Sequence, residues 1–144
     1  TVKVAEILEN AIEVAAYNWN EKGPLLKHSV TPSELTVSAD RDMIEQVLIN
    51  LLKNAEQALA DTPGARVDLS AKLNKRGRVV IEIEDNGPGI SADMAQKVFV
   101  PFFTTKREGS GVGLALTRQV MIAHGGHVRL DPVHQLGCRF VLTF

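Results

Sequence analysis

From Val4 to Ala15 the apolar residues Val4, Ile7, Leu8, Ala11, Ile12 and Ala15 recur at three- and four-residue steps, which predicts an amphipathic helix. After Gly23-Pro24, two short segments at residues 25–30 and 35–38 flank the turn signal Thr31-Pro32-Ser33 and read as a hairpin. Ser38 or Asp40 can cap a second helix running to residue 60, its buried stripe formed by Met43, Ile44, Val47, Leu48, Leu51, Leu52, Ala55 and Leu59. Thr62-Pro63-Gly64 ends it.

Val67, Leu69, Ala71 and Leu73 then alternate with polar residues, a turn follows at residues 74–77, and Val79, Ile81 and Ile83 alternate again. The pattern predicts a hairpin with one wet face. Residues 86–113 are punctuated by Gly and Pro and hold one short helix near residues 93–98, capped by Ser91, in what is otherwise a loop long enough to be functional. A third helix is predicted from Val112 to His124, burying Val112, Leu116, Val120 and Ala123, with Gly125-Gly126 as its stop. Strands at residues 127–130 and 138–144 close the chain as a further hairpin. The sum is an α/β (α+β) two-layer sandwich, a mixed or antiparallel sheet covered on one side by helices.

Composition narrows the function. The 144 residues, 44% hydrophobic and 23% charged, suit a single domain over 1–144 with a real apolar core. Sixteen Lys plus Arg against 17 Asp plus Glu leave a net charge of -1, so no bulk basic field points to nucleic acid or an anionic membrane. Any phosphate binding must come from a local site. Apolar runs such as residues 47–49 are broken well before the roughly 18 residues of a membrane span, and the acid-bearing first helix is not a signal peptide. The single Cys138 has no Cys or His neighbours at metal-ligand spacing, which fits a packing role in a reducing compartment and a cytosolic chain, or the cytosolic piece of something larger.

Four places carry candidate chemistry. Asn50 and Asn54, one helical turn apart on the second helix, project at the edge of its apolar stripe. Their amide oxygens suit Mg²⁺, a hard cation that takes few protein ligands; the plainer reading is two solvated Asn on a helix flank. Strand parity puts Asp85 on the same face as Val79, Ile81 and Ile83. A buried carboxylate needs donors, and the exocyclic amino group of a purine would be one; an Asx turn in which Asp85 or Asn86 bonds the local backbone would satisfy it as well. Gly87-Pro88-Gly89 strips side chains from the backbone beside this acid, as a flat ring approaching closely would require.

Residues 101–106, Pro-Phe-Phe-Thr-Thr-Lys, place aromatics, hydroxyls and a cation in a stretch without regular period. Phe99 and Phe102 either pin a loop to the core or border a ligand, and Lys106 is a candidate phosphate partner beside a glycine loop. Gly109-Ser110-Gly111-Val112-Gly113 opens directly into the third helix, whose unpaired N–H groups and partial positive charge favour an anion. No apolar strand precedes this loop and no Gly-Lys-Ser/Thr occurs, so it is neither a dinucleotide fingerprint nor a Walker loop. The His-Arg-Asp and Asp-Phe-Gly elements of eukaryotic-type protein kinases are also absent.

Taken together, Asn50-Leu51-Leu52-Lys53-Asn54-Ala55, Asp85-Asn86-Gly87-Pro88-Gly89-Ile90, the run from Phe99 to Lys106, and Gly109-Ser110-Gly111-Val112-Gly113-Leu114 resemble, in order, the N, G1, F and G2 boxes of sensor histidine kinases. The resemblance covers essentially the whole chain, including Ala39-Asp40 and His124-Gly125-Gly126, and is greatest to the nitrogen-regulatory subgroup. It implies the Bergerat ATP-binding fold, shared with gyrase B and MutL: three helices on a mixed sheet. It further implies that Asn54 and Asn50 contact Mg²⁺ and phosphate, that Asp85 accepts the adenine amino group, and that Gly87 and Gly89 border the base. Thr105, Lys106, Gly109, Gly111, Gly113 and Leu114 would lie along the nucleotide, Lys106 serving catalysis with the two Asn, while Phe99 and Phe102 hold the lid.

The implied reaction is transfer of the ATP γ-phosphoryl group to a histidine, chemistry that rests on positioning and charge neutralisation. In the resembled family the acceptor sits in a separate helical dimerisation domain and is followed by an acid; none of His28, His124, His127 or His134 is. A response regulator would act downstream, no nucleic acid partner is implied, and the isolated domain is expected to be monomeric. His124 most simply ends a helix near its negative pole. Where many relatives carry Lys-Tyr, Gln57-Ala58 stand here, and Val112 replaces a usual Leu. A gyrase-class ATPase would have a general-base glutamate where Asn50 stands. The same pattern is compatible with a non-catalytic nucleotide-binding module or an anti-sigma-type serine kinase.

Overall fold

A computed structural model describes residues 1–17, 19, 23–89, 97–99, 113–132 and 137–144. Strand β1 (Val2–Lys3) leads into helix α1 (Val4–Ala15), which buries Val4, Ile7, Leu8, Ala11 and Ala15 along one stripe. Strands β2 (Leu25–Val30) and β3 (Thr36–Val37) precede α2 (Arg41–Ala58). The Asp40 carboxylate accepts the Met43 N–H at 3.1 Å, satisfying one of the orphan donors of the first turn of α2 and choosing Asp40 over Ser38 as the cap. Ile44, Val47, Leu48, Leu51, Leu52 and Ala55 then face inward.

Strands β4 (Arg66–Leu73) and β5 (Val79–Asp85) form the expected hairpin. Its turn is held by Asn74, whose side-chain oxygen accepts the N–H groups of Arg76 and Arg78 at 2.9 and 3.0 Å. Helix α3 (Gly113–Ala123) and the antiparallel pair β6 (His127–Pro132) and β7 (Cys138–Thr143) complete the chain. The main sheet is mixed, in the order β2-β4-β5-β7-β6, with β2 parallel to β4 and the remaining pairs antiparallel. A parallel neighbour requires a crossover connection, and α2 supplies it between β2 and β4.

Register assigns the two faces. Val67, Leu69 and Ala71 lie opposite Asp85, Ile83 and Ile81, which lie opposite Cys138, Phe140 and Leu142 in turn. The buried members of this face share one core with the buried stripes of α1 and α2 and with Met121 of α3. Among the described residues, then, three helices cover one face of the sheet, the two-layer sandwich expected from the sequence.

Three expectations need correction. Residues 25–30 and 35–38 do not pair with each other: β2 adds to β4, where Leu26 and Val30 align with Val67 and Ala71, and β3 pairs with β1. A turn signal between two short apolar segments reports only that the chain bends; which strand completes the inner face depends on partners far away in sequence. In α3 the expected Leu116 and Ala123 are exposed, Leu116 by 54%, and Thr117 and Met121 are buried instead. This helix carries apolar residues around its whole circumference, including Ile122, so periodicity does not select a face. Met43, in the first turn of α2, is also largely exposed because the helix enters the core only from Ile44 onward. Most of the short helix expected near residues 93–98 lies outside the described residues, as do Val112, Phe102, Thr105, Lys106, Gly109 and Gly111.

Candidate functional site

Asp85 ends β5 on the helix-covered face, as strand parity requires. Its carboxylate accepts the Gly87 N–H at 2.9 Å, so the Asx turn and the inward-facing acid occur in the same residue. The Cys138 backbone N–H steadies the carboxylate from β7. Burial outweighs both donors and, with the nearby negative charge of Glu84, raises the Asp85 carboxyl above its ordinary value of 3.8. A part-desolvated carboxylate whose local donors do not fully compensate is primed to accept another hydrogen bond.

Gly87 and Gly89 act by what they leave out. A Cβ at Gly87 would lie 3.1 Å from Asp85 Oδ1 and 3.1 Å from Leu59 Cδ2, with the Ala58 carbonyl at 3.6 Å. The bare Gly87 backbone therefore lets the C-terminal end of α2 close on the end of β5. Gly89 has φ +77°, and a Cβ there would approach the Gly137 carbonyl to 3.0 Å. Gly137, which belongs to none of the four boxes, is the tightest point: its φ is +102°, and a Cβ would sit 2.0 Å from the Asp85 carbonyl oxygen. Its only sequence signal is a glycine immediately before a strand. Asn86, expected only as a local turn former, clamps a different element: its side-chain oxygen accepts the Arg66 N–H at 2.7 Å and its amide donates to the Gly64 carbonyl at 2.9 Å.

Asn50 and Asn54 are half-buried along the edge of α2. The Asn50 oxygen accepts from Gln46 Nε2 at 3.2 Å, a helix-surface contact between residues four apart. Among the described residues no cluster of His, Cys, Asp or Glu could hold a metal. Neutral amide oxygens fit Mg²⁺ whose charge is balanced by a bound triphosphate. Helix α3 begins at Gly113, with Leu114 half-buried against the core. Phe99 meets Phe140 edge-to-face, centroids 6.1 Å apart at 83°, which ties the residue to the inner face of β7 two positions beyond the partner of Asp85. This contact ties Phe99 to the sheet.

Cys138 is half-buried beside Asp85, and burial together with that negative charge pushes its thiol up to about 11, which suits packing rather than nucleophilic chemistry. His124 closes α3: its Nδ1–H donates to the Val120 carbonyl at 2.8 Å, and its Nε2 accepts the Asp40 N–H at 3.1 Å. No helix among the described residues is long and apolar enough to cross a membrane.

An inward carboxylate, a side-chain-free backbone beside it, amides on the flanking helix and a third helix that begins at Gly113 are what the described residues contribute to the candidate site. Residues 39–144 match the model of the histidine kinase-, DNA gyrase B-, and HSP90-like ATPases, and the chain belongs to this family. Within it the chain is similar to the catalytic part of sensor histidine kinases. It is 37% identical over 141 residues to the C4-dicarboxylate transport sensor protein DctS of Rhodobacter capsulatus, covering 97% of this chain and 22% of that protein. It is also 37% identical over 119 residues to the sensory histidine kinase/phosphatase NtrB of Rhizobium leguminosarum, covering 74% of this chain and 31% of the relative. Among solved structures, full-length ShkA in complex with AMPPNP superposes with a TM-score of 0.86 at 28% identity, over 99% of this chain and 30% of that one. The chain thus spans about a sixth to a third of the length of the curated relatives it matches.

Proposed function

We propose that residues 1–144 form one folding unit that binds Mg²⁺-ATP and presents its γ-phosphate to a histidine on a separate helical dimerisation domain, from which a response regulator is phosphorylated. The observation that carries the reading is the inward Asp85 carboxylate flanked by Gly87, where the end of α2 meets β5. Asp85 receives the adenine amino group, and Gly87 and Gly89 let the ring lie against bare backbone. Asn50 and Asn54 would hold Mg²⁺ and phosphate from α2; Thr105, Lys106, Gly109 and Gly111 would meet the triphosphate; Phe99 and Phe102 would hold the lid. Bound Mg²⁺ would neutralise phosphate charge. The acceptor imidazole nitrogen attacks the γ-phosphorus, the bond to the bridging oxygen breaks to leave ADP, and the imidazole proton passes to solvent.

Asn50 has no useful proton affinity near neutral pH and cannot activate water as a glutamate would. The chain alone is therefore expected to bind ATP yet neither label itself nor hydrolyse ATP appreciably. Incubation with labelled ATP, with and without the helical domain of the parent protein, tests this: acid-labile label should appear on that domain alone. Acid-stable label on this chain, or steady phosphate release in its absence, would contradict the reading. The parent is proposed to be a cytoplasmic kinase or a membrane-anchored sensor with this part in the cytoplasm.

A second expectation concerns the metal. Alanine at Asn54 should remove most of the Mg²⁺ dependence of ATP affinity, measured by calorimetry, while the melting transition stays close to that of the parent because the side chain flanks the core. Unchanged Mg²⁺ titration in the mutant would place the metal elsewhere.

A further inference from the structure

Helix α3 packs on the core through Met121, with Leu114 and Val120 partly buried beside it. Among its described residues only Thr117 and Met121 are fully buried, whereas Leu116 and Ile122 are more than half exposed. Its C-terminal end is also tied down by polar contacts. The Gly126 N–H donates to the Met121 carbonyl at 2.9 Å, and a Cβ at Gly126 would lie 2.0 Å from the Thr143 carbonyl, so the turn sits directly on β7. Just before this turn, His124 Nδ1–H donates to Val120 within the helix, and Nε2 receives the backbone N–H of Asp40 from outside it. Donation by Asp40 requires a lone pair on Nε2, so the ring is the neutral Nδ1–H tautomer.

Asp40 is the N-cap of α2, the helix that carries Asn50 and Asn54. The His124 contact therefore joins the first residue of one site helix to the end of the other, whose opposite end is Gly113. At 1.5 Å per residue, Asn50 stands about 15 Å and Asn54 about 21 Å along α2 from Asp40, and Gly113 about 16 Å along α3 from His124. Since the two helices are packed together and joined at those ends, their relative axial position sets where the Asn50 and Asn54 side chains stand with respect to the start of α3. An axial slip between the helices would separate them by the same amount.

We propose that His124 is a positioning residue of the nucleotide site: by accepting the Asp40 N–H it sets the axial register of α2 against α3, and so the spacing between the Asn50/Asn54 pair and the phosphate-binding start of α3. This rests on the reading of those elements as the Mg²⁺-triphosphate site.

Two variants separate the inter-helix contact from the local helix cap. His124→Asn keeps a short side chain able to donate to Val120 but does not reach Asp40; His124→Gln places an amide oxygen where Nε2 lies. Calorimetric titration of the 144-residue chain with Mg²⁺-AMPPNP should show His124→Asn and His124→Ala binding about two- to tenfold more weakly than the parent, the range expected for one net hydrogen bond, with His124→Gln recovering most of the loss. Melting of the nucleotide-free proteins runs alongside. Equal affinity in the Asn and Gln variants, or lower melting temperatures with parental affinity, would overturn the proposal and leave His124 a helix cap only. Failure of the parent to bind Mg²⁺-AMPPNP would instead overturn the site assignment itself.

Discussion

Asp85→Asn is expected to weaken ATP binding by about 1.5–3 kcal/mol, roughly ten- to 150-fold, without destabilising the free protein. The amide keeps the shape of the carboxylate and can still accept the Gly87 N–H, but it turns a charge-assisted hydrogen bond to the adenine amino group into a neutral one. Stability should move the other way. Burial raises the Asp85 carboxyl above its ordinary value, so ionisation is harder in the folded chain than in the unfolded one. A raised carboxyl contributes stability below its unfolded value of 3.8, and that contribution is lost as pH rises through the folded value. At neutral pH the wild type carries this penalty and the Asn variant does not, so chemical denaturation should find the variant at least as stable. Nucleotide affinity of the wild type should fall on acidification through the same range, because the protonated acid is the weaker acceptor; in the variant this component should vanish. Equal affinity for ATP and GTP, or an Asn variant that binds like the parent, would remove Asp85 from the base site.

Gly137→Ala should be among the most damaging single substitutions in the chain, with a loss of about 3 kcal/mol or more in urea denaturation. Two effects add. The φ of +102° lies where an L side chain is strained, and the new Cβ would sit 2.0 Å from the Asp85 carbonyl oxygen, so β5 and β7 must part where Asp85 faces Cys138. That opening also carries the Cys138 N–H away from the Asp85 carboxylate, so ATP affinity should fall together with stability. Gly77→Ala is the matched control: its φ of +77° is also positive, but nothing lies within 4 Å of a Cβ there, so only the backbone strain of about 1 kcal/mol should appear. Similar losses in the two variants would show that strain, not the contact with Asp85, governs Gly137.

Helices α1 and α2 were legible because each carries a single apolar stripe with polar residues opposite, and Asp40 is a capping residue at the right place. The β4–β5 and β6–β7 hairpins were legible for a similar reason: alternation and a nearby turn pair strands that are neighbours in sequence. The parallel union of β2 with β4 was not, since it is made across the whole of α2 and leaves no local mark in residues 25–30. The face of α3 is not legible either, because its apolar residues surround the helix, and only the position of the sheet turns Thr117 and Met121 inward.

At the site the division is similar. Residue type and spacing alone placed Asp85 on the buried face, set Gly87 and Gly89 beside it, and put Asn50 and Asn54 on one edge of a helix, because strand and helix periodicities are local properties of the chain. Only the tertiary structure brought the end of α2 against Gly87, stacked Gly137 on the Asp85 backbone, fixed Phe99 to Phe140, and handed the Asp40 N–H to His124. These are contacts between segments from about 28 to 84 residues apart. They are decided by how a sheet and its helices fill one core, and no repeat or motif in the intervening chain encodes them.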